Sequence, residues 1–231
     1  MAEPLSGPGI LISASHIIKP SELSDEAFNK WYNEVHIPDV LATGGVSRAT
    51  RFRNASSKAT EKYLVIYEVD DLSVIASERF KNIPFKHKML PGGGDIHDFV
   101  NMEIRFYKKI QTDPEGSGQK EFYPALLWAG VGPGEGKEDD YDAYMRQEHL
   151  PQFRSEPGWR RSTRYKLAVH AKNPSKEGWG EGEATSYIAL YEFDEGNKLG
   201  SEVQPLDPMT DWTKRIMAHA KKFELGIFHK I

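Results

Sequence analysis

The same arrangement of residues occurs twice in this chain, and the two occurrences are 113 positions apart. Phe28, Trp31, Glu34, His36, Ile37 and Pro38 are followed by Gly45, Arg48, Arg51 and Phe52. Tyr141, Tyr144, Glu148, His149, Leu150 and Pro151 are followed by Gly158, Arg161, Arg164 and Tyr165. One offset carries His36 to His149, Pro38 to Pro151, Gly45 to Gly158, Arg48 to Arg161 and Arg51 to Arg164. An internal repeat constrains the fold before any local propensity does. Two copies of this length point to a pseudo-symmetric pair rather than to a solenoid of short units.

Each copy reads as strand, helix, strand, strand, helix, strand. In the first, Gly9 to Ile17 has the length and apolar content of a strand. Ser21 or Ser24 can cap a helix whose first turn holds Asp25 and Glu26. Phe28, Trp31, Tyr32 and Val35 follow at helical spacing. Pro38 predicts a stop near His36. Val46–Arg53 and Tyr63–Val69 are the next strands, Leu72–Phe80 a second helix, and Phe99–Ile110 the closing strand. Gln111–Glu121 has the composition of a linker. The second copy gives strands at Tyr123–Val131, Trp159–Leu167, Tyr187–Phe193 and Lys222–Ile231, with a helix over Asp139–His149. The offset grows from 113 to 124 between Tyr63 and Tyr187, so 11 residues are inserted, and Asn173–Gly182 is the loop that holds them. The expected fold class is α+β: tandem ferredoxin-like βαββαβ repeats, residues 10–110 and 122–231, with their sheets facing each other.

An aromatic-rich helix ending in a histidine, then Pro, a Gly turn and an Arg-x-x-Arg-aromatic strand resembles the dimeric α/β-barrel superfamily, particularly its EthD-like branch. The matching segments are WYNEVHIPDVLATGGVSRATRF and YMRQEHLPQFRSEPGWRRSTRY. The resemblance implies an intramolecular dimeric α/β-barrel. It does not select a function, because the superfamily includes cofactor-free monooxygenases, isomerases, cyclases and haem enzymes. One departure is that Glu34 aligns with Gln147 rather than with Glu148.

Bulk properties narrow the chemistry. A net charge of −4 gives no electrostatic case for nucleic acid. The absence of cysteine removes thiolate ligands, disulfides and a cysteine nucleophile. No apolar run approaches the length of a membrane helix, and the first residues lack a signal-peptide pattern. A cytoplasmic location, no membrane and a small-molecule substrate are the expectations. A homodimer of pseudo-dimers is left open.

His36 and His149 are the leading acid/base candidates, placed where a helix C-terminus would raise imidazole basicity. Equally, each could simply cap its helix. His16, at the end of the first strand, is a third catalytic candidate and has no counterpart in the second copy. Arg51 and Arg164 could hold an anionic or enolate oxygen, or could pair across strands with Glu68 and Glu192. Glu148 is expected to bridge Arg161 or Arg164. Trp31, Trp128, Tyr63, Tyr67, Tyr187 and Tyr191 are expected to line an interior for an aromatic or polyketide-like ligand, with the tyrosines between the sheets. No metal pair such as His-x-x-x-His and no phosphate loop is found. No cofactor is expected, although one histidine suffices for a haem. These residues suggest a cofactor-independent, lyase-type enzyme performing dehydration, cyclisation or decarboxylation. The alternatives are an oxygenase, cofactor-free or with haem, and a non-catalytic ligand-binding or stress-related protein. One working pocket, in the first copy, is expected.

Overall fold

The computed structural model describes residues 5–116, 121–171 and 184–231. It is an α+β chain with eight strands among the described residues, and every described strand pair is antiparallel. Of the described residues, 5–51, 60–108 and 168–171 form one compact unit, and 52–59, 109–116, 121–167 and 184–231 form a second. The expected loop Asn173–Gly182 lies outside the described residues.

The first unit contains β1 (Gly9–Ile17), β2 (Val46–Asn54, as far as Arg51), β3 (Tyr63–Val69) and β4 (Val100–Asp113, as far as Lys108), in the order β4-β1-β3-β2. Strands β1 and β3 pair with Ser13 opposite Val65. Helix α1 (Asp25–Trp31) begins where Ser24 accepts from the Ala27 amide, with Asp25 and Glu26 in the first turn. This satisfies an otherwise unpaired donor and complements the helix dipole.

The expected stop at His36 does not occur. A π-helical turn, Tyr32–His36, leads into α2 (Ile37–Leu41), and the Ile37 amide donates to the Tyr32 carbonyl. Pro38 has no amide hydrogen, and its ring would collide with the carbonyl four residues back. The wider turn accommodates both facts and lets the helix continue. The expected second helix is also broken. Leu72–Ala76 is a 3₁₀ turn, Ser77 is extended, and only Glu78–Lys81 (α3) is α-helical.

The second unit contains β5 (Ala125–Gly132), β6 (Trp159–Ala171, as far as Leu167), β7 (Tyr187–Phe193) and β8 (Lys222–Lys230), in the order β8-β5-β7-β6. Phe52–Asn54, the end of β2, pairs with β8 within this unit. The π turn recurs: α4 (Glu138–Tyr144) passes through Met145–His149 into α5 (Leu150–Phe153), ahead of Pro151. Helix α6 (Asp211–His219) starts at Thr210, whose hydroxyl accepts from the Thr213 amide.

The helix-facing cores are built from alternate strand residues. In the first unit Phe28, Trp31 and Tyr32 pack with Leu11, Tyr63, Val65, Tyr67 and Leu72. In the second Tyr141, Tyr144 and Phe153 pack with Leu127, Tyr187, Ala189 and Tyr191. Each such side chain contributes about 1.5–3 kcal/mol when buried. The four tyrosines expected between the sheets thus lie against the helices instead. The aromatic helix faces recruit them, leaving the other alternate set, such as Leu64 and Ile66, for the opposite side.

The two turn glycines do different work. Gly158 has φ +77°, whereas in the first unit the left-handed residue is Gly44, at +87°, not Gly45, which the repeat aligns with Gly158. Gly45 is needed for space, since a Cβ there would lie 2.3 Å from Cγ2 of Val74.

Candidate functional site

In the first unit the π turn brings Trp31 and His36, five residues apart, into a stack with centroids 5.0 Å apart and planes 16° from parallel. On an ordinary helix residues five apart would diverge by about 140°. The Tyr32 ring meets His36 edge-on at 5.0 Å, and Phe85 lies 5.5 Å from it. His36 is buried, and burial pushes its pKa down to about 4, with His97 adding to the effect. The expected gain in basicity from a helix terminus is therefore overturned. The imidazole sits inside a continuing helix, and loss of solvation dominates.

Arg51 enters the same cluster from β2. Its guanidinium carbon lies 4.9 Å from the Tyr32 ring centroid and 5.8 Å from both Phe28 and Tyr63. It donates to Asn29 Oδ1 at 2.6 Å, Asn33 Oδ1 at 3.1 Å and the Asn29 carbonyl at 3.4 Å. No carboxylate among the described residues pairs with it. Desolvation holds its pKa below the usual arginine value, against the favourable influence of Tyr32, Tyr63 and Tyr67. Tyr32 donates to Ser13 Oγ at 3.2 Å. Burial raises the pKa of Tyr32, and raises that of Tyr67 further, so both hydroxyls keep their protons. Four buried polar atoms here have no hydrogen-bond partner among the described residues: Trp31 Nε1, His36 Nδ1, Arg51 Nε and Tyr67 Oη. Native interiors leave few such groups, so a cluster of them calls for a functional account.

The second unit presents a matching set with different partners. Tyr144 stacks on His149 at 5.3 Å and 30°, and its hydroxyl meets His149 Nδ1 at 3.0 Å. Phe153 and Tyr191 lie 4.9 and 5.7 Å from the imidazole. Burial again pushes the histidine down to about 4, with Arg164 nearby contributing. Arg164, only 1% exposed, is paired with Asp142 at 2.8 Å and donates to Gln111 Oε1 at 2.7 Å. Tyr187 donates to Glu138 at 2.8 Å, and Tyr191 stacks on Phe153 at 4.0 Å with its hydroxyl unmatched.

Of the sequence candidates, the fold gathers His36, Trp31, Arg51, Tyr63 and Tyr67 in one unit and His149, Arg164, Tyr187 and Tyr191 in the other. It does not bring in His16 or Trp128. His16 pairs with Asn101 and alternates with Ser13 and Ser15, whose side holds Tyr32, so it points to the other face of the sheet. Trp128 alternates in the same way with Leu127, which packs under the helix. The cross-strand Arg–Glu pairs do form, but through Arg48 to Glu68 at 3.3 Å and Arg161 to Glu192 at 2.7 and 2.9 Å. Arg51 and Arg164 are thereby left for the helix side. Glu148 bridges neither arginine; it accepts from Thr210 at 2.5 Å and Thr213 at 3.3 Å instead. Asn29, Asn33, Ser13 and Phe85 escaped the sequence reading. The 113-residue offset could have flagged Asn29, because it carries that residue to Asp142. A cleft of about 700 Å³ also exists in the second unit, lined by Lys109, Gln111, Asp113, Arg146, Arg154 and Trp159. It includes none of the histidines or tyrosines, and Asp113 and Arg154 neutralise each other at its wall, so the buried clusters carry the functional argument.

Comparison with known proteins bears on fold more than on chemistry. Residues 18–122 match the model of a domain of unknown function, DUF4286. The chain is 23% identical over 194 residues to core atranone cluster (CAC) protein 1 of Stachybotrys chlorohalonatus, a match covering 81% of this chain and 82% of the relative. An anthrone oxidase-like protein of known structure superposes with a TM-score of 0.61 at 15% identity, over 99% of this chain and 92% of the other. Chlorite dismutase from Candidatus Nitrospira defluvii, solved as a point mutant, gives 0.55 at 9% identity, over 97% and 92%. At these identities the likeness is one of fold alone.

Proposed function

We propose that this chain is a cofactor-independent enzyme of the EthD-like branch, with two fused copies, acting on a small aromatic or polyketide-like metabolite at the Trp31–His36–Arg51 cluster. The observation that carries this reading is Arg51, a buried cation faced, among the described residues, only by amides and aromatic rings. Such a charge, fixed in a low-dielectric site, stabilises a developing enolate or phenolate oxygen without reorganisation. The names of the anthrone oxidase-like protein and the atranone cluster protein support the substrate class.

The chemistry follows from the protonation states. His36 is neutral at pH 7 and can accept a proton from a substrate carbon, but it is a weak base. The carbon must be acidified first, by a carbonyl or phenol oxygen held at Arg51 and by the hydroxyls of Tyr32 and Tyr67. In a dehydration, the C–H electron pair moves toward that oxygen. His36 then returns the proton to the departing hydroxyl, and water leaves. No external oxidant is needed. A lyase-type outcome is accordingly our reading.

A second reading, oxygenation, draws on the name of the anthrone oxidase-like protein. An acidified carbanion could be intercepted by dioxygen in the same cluster. Mass spectrometry of products from hydroxyanthrone and β-hydroxy polyketide substrates separates the two: loss of water or carbon dioxide supports a lyase, and gain of oxygen an oxygenase. A visible absorption band on the purified protein would replace both readings with a haem protein. In either enzyme reading, His36→Ala should lower turnover by about 100-fold. His149→Ala should lower it less than about tenfold by the same measure. Equal, small effects from both, matched by equal falls in melting temperature, would leave the histidines as packing residues.

A further inference from the structure

The two buried arginines differ by one exchange in the residue that holds them. The offset that carries Arg51 to Arg164 carries Asn29 to Asp142, and each of these side chains meets its own arginine. In the second unit the guanidinium charge is balanced by a carboxylate at 2.8 Å. In the first, an isosteric amide takes the same place, at 2.6 Å, and contributes no charge. Asn33, the other partner of Arg51, corresponds to Arg146, which pairs with Asp142 from the exposed side at 2.7 Å. In the second unit one carboxylate thus serves two arginines, while among the described residues none serves Arg51.

A buried cation without a counter-ion is unfavourable unless something else supplies the charge. Three of the unmatched atoms around Arg51 are donors by chemistry: its own Nε–H, the Trp31 indole N–H and the Tyr67 hydroxyl. Each belongs to a side chain at least nine-tenths buried. Unmatched donors about an unbalanced positive charge form a receptor for an anion. Phe28, Tyr32 and Tyr63, grouped about the guanidinium, offer stacking and edge contacts to an aromatic one. The second unit also has unmatched atoms, Arg164 Nη2 and Tyr191 Oη, but there Asp142 already meets the charge.

We infer that Asn29 is a specificity-determining residue: it leaves Arg51 unneutralised, so the first unit takes a flat aromatic monoanion, carboxylate or phenolate, while Asp142 closes the second unit to anions. This rests on the proposed function only for the choice of cluster; binding is separable from turnover.

Calorimetric titration of the full chain tests it, with benzoate and 4-nitrophenolate as the two anionic probes and benzamide as the neutral isostere of benzoate. One site per chain is expected for an anion and none for benzamide. Asn29→Asp, an isosteric change, should weaken anion binding at least about tenfold. Asn29→Ala, which adds no charge, should keep it within a few-fold. Asp142→Asn should add a second site. Circular dichroism and melting curves establish that each variant is folded. If neither anion binds, if benzamide binds as tightly as benzoate, or if Asn29→Asp binds like the parent, the inference is overturned. An Asp142→Asn protein still limited to one site overturns the role given to Asp142. Binding as expected with no turnover of any tested metabolite would sink the enzyme reading and leave this one standing. Turnover of an anionic substrate undiminished in Asn29→Asp would do the reverse.

Discussion

The two units share a helix with a π turn, a histidine stacked on an aromatic ring five residues earlier, and a buried arginine on the following strand. They differ in what surrounds those groups. In the second unit the histidine and the charge are met internally: Tyr144 satisfies His149, Asp142 balances Arg164, and Glu138 takes the Tyr187 hydroxyl, so that Arg164 Nη2 and Tyr191 Oη remain unmatched beside a neutralised charge. In the first, among the described residues, His36, Trp31 and Tyr67 carry unmatched polar atoms and Arg51 has only neutral partners. The lesson is that two units with the same local scaffold can surround the same groups differently through a few polar exchanges. Closing a site needs a carboxylate and a hydroxyl; leaving one open needs only an amide and an indole in their places.

The sharpest way to break this contrast is to remove the group that holds each arginine. Asp142→Ala strands a fully buried guanidinium and should cost about 3 kcal/mol, the low end for a broken buried pair because Asp142 itself is partly hydrated. Asn29→Ala removes hydrogen bonds to a charge but no counter-ion, and should cost about 1.5 kcal/mol. Urea denaturation at pH 7 measures both. Equal costs, or the reverse order, would mean that Arg51 is balanced by something other than neutral groups.

In one respect the units should behave alike. Both histidines are pushed from 6.5 down to about 4 by burial. The unfolded chain therefore takes up protons near pH 6.5 that the folded chain refuses until about pH 4. Stability is fully present above pH 6.5 and is lost progressively as the pH falls through that window. For His36 the loss amounts to roughly 3 kcal/mol once the pH is below both values. Denaturation midpoints from pH 7 to 4 should fall less steeply in His36→Gln and least in the double variant with His149→Gln. A profile unchanged by either substitution would show that the imidazoles are solvated.

Smaller effects should separate the two turns. Gly158→Ala combines a positive φ with a Cβ 2.6 Å from the Asn197 amide nitrogen. Gly45→Ala meets only the Val74 side chain, and Gly44→Ala meets nothing but has the positive φ. Costs falling from about 2 to about 1 kcal/mol are expected in that order. Thermal melts of the three variants test the ranking. Were Gly44→Ala the most costly, backbone strain rather than crowding would govern the first turn.

Much of the scaffold could be read from the residues. Tyr63–Val69 and Tyr187–Phe193 coincide with β3 and β7, and Gly9–Ile17 with β1, because β-branched and aromatic runs bounded by turn residues leave little choice. The helix ends could not be read. Pro38 and Pro151 argue for a stop, and only the backbone reveals a turn that widens to pass them. Which strand face holds the tyrosines was equally hidden, since alternation yields two sets without saying which one meets the helix. The site was visible in part. His36, Trp31 and Arg51 were singled out, but pKa direction depends on burial that sequence does not report. Asn29 looked like any exposed helix residue until its carbonyl and amide were seen on Arg51.

The π turn has an arithmetical consequence. It is one residue more than an α-helical turn requires, so it acts as a phase shift between the residues before and after it. Upstream, Phe28, Trp31 and Tyr32 keep the helical stripe; downstream, His36 and Val40 continue it only because of the extra residue. Deleting one residue within Tyr32–His36 would let the helix close into regular α-geometry. Every later side chain of α2 would then turn by about 100° relative to the stripe. The imidazole would leave its indole, and Pro38 would face the carbonyl it now avoids. Frame-preserving loss of a single codon in either helix is therefore a more severe change than most substitutions there, and the same lesion could strike at two places in the gene.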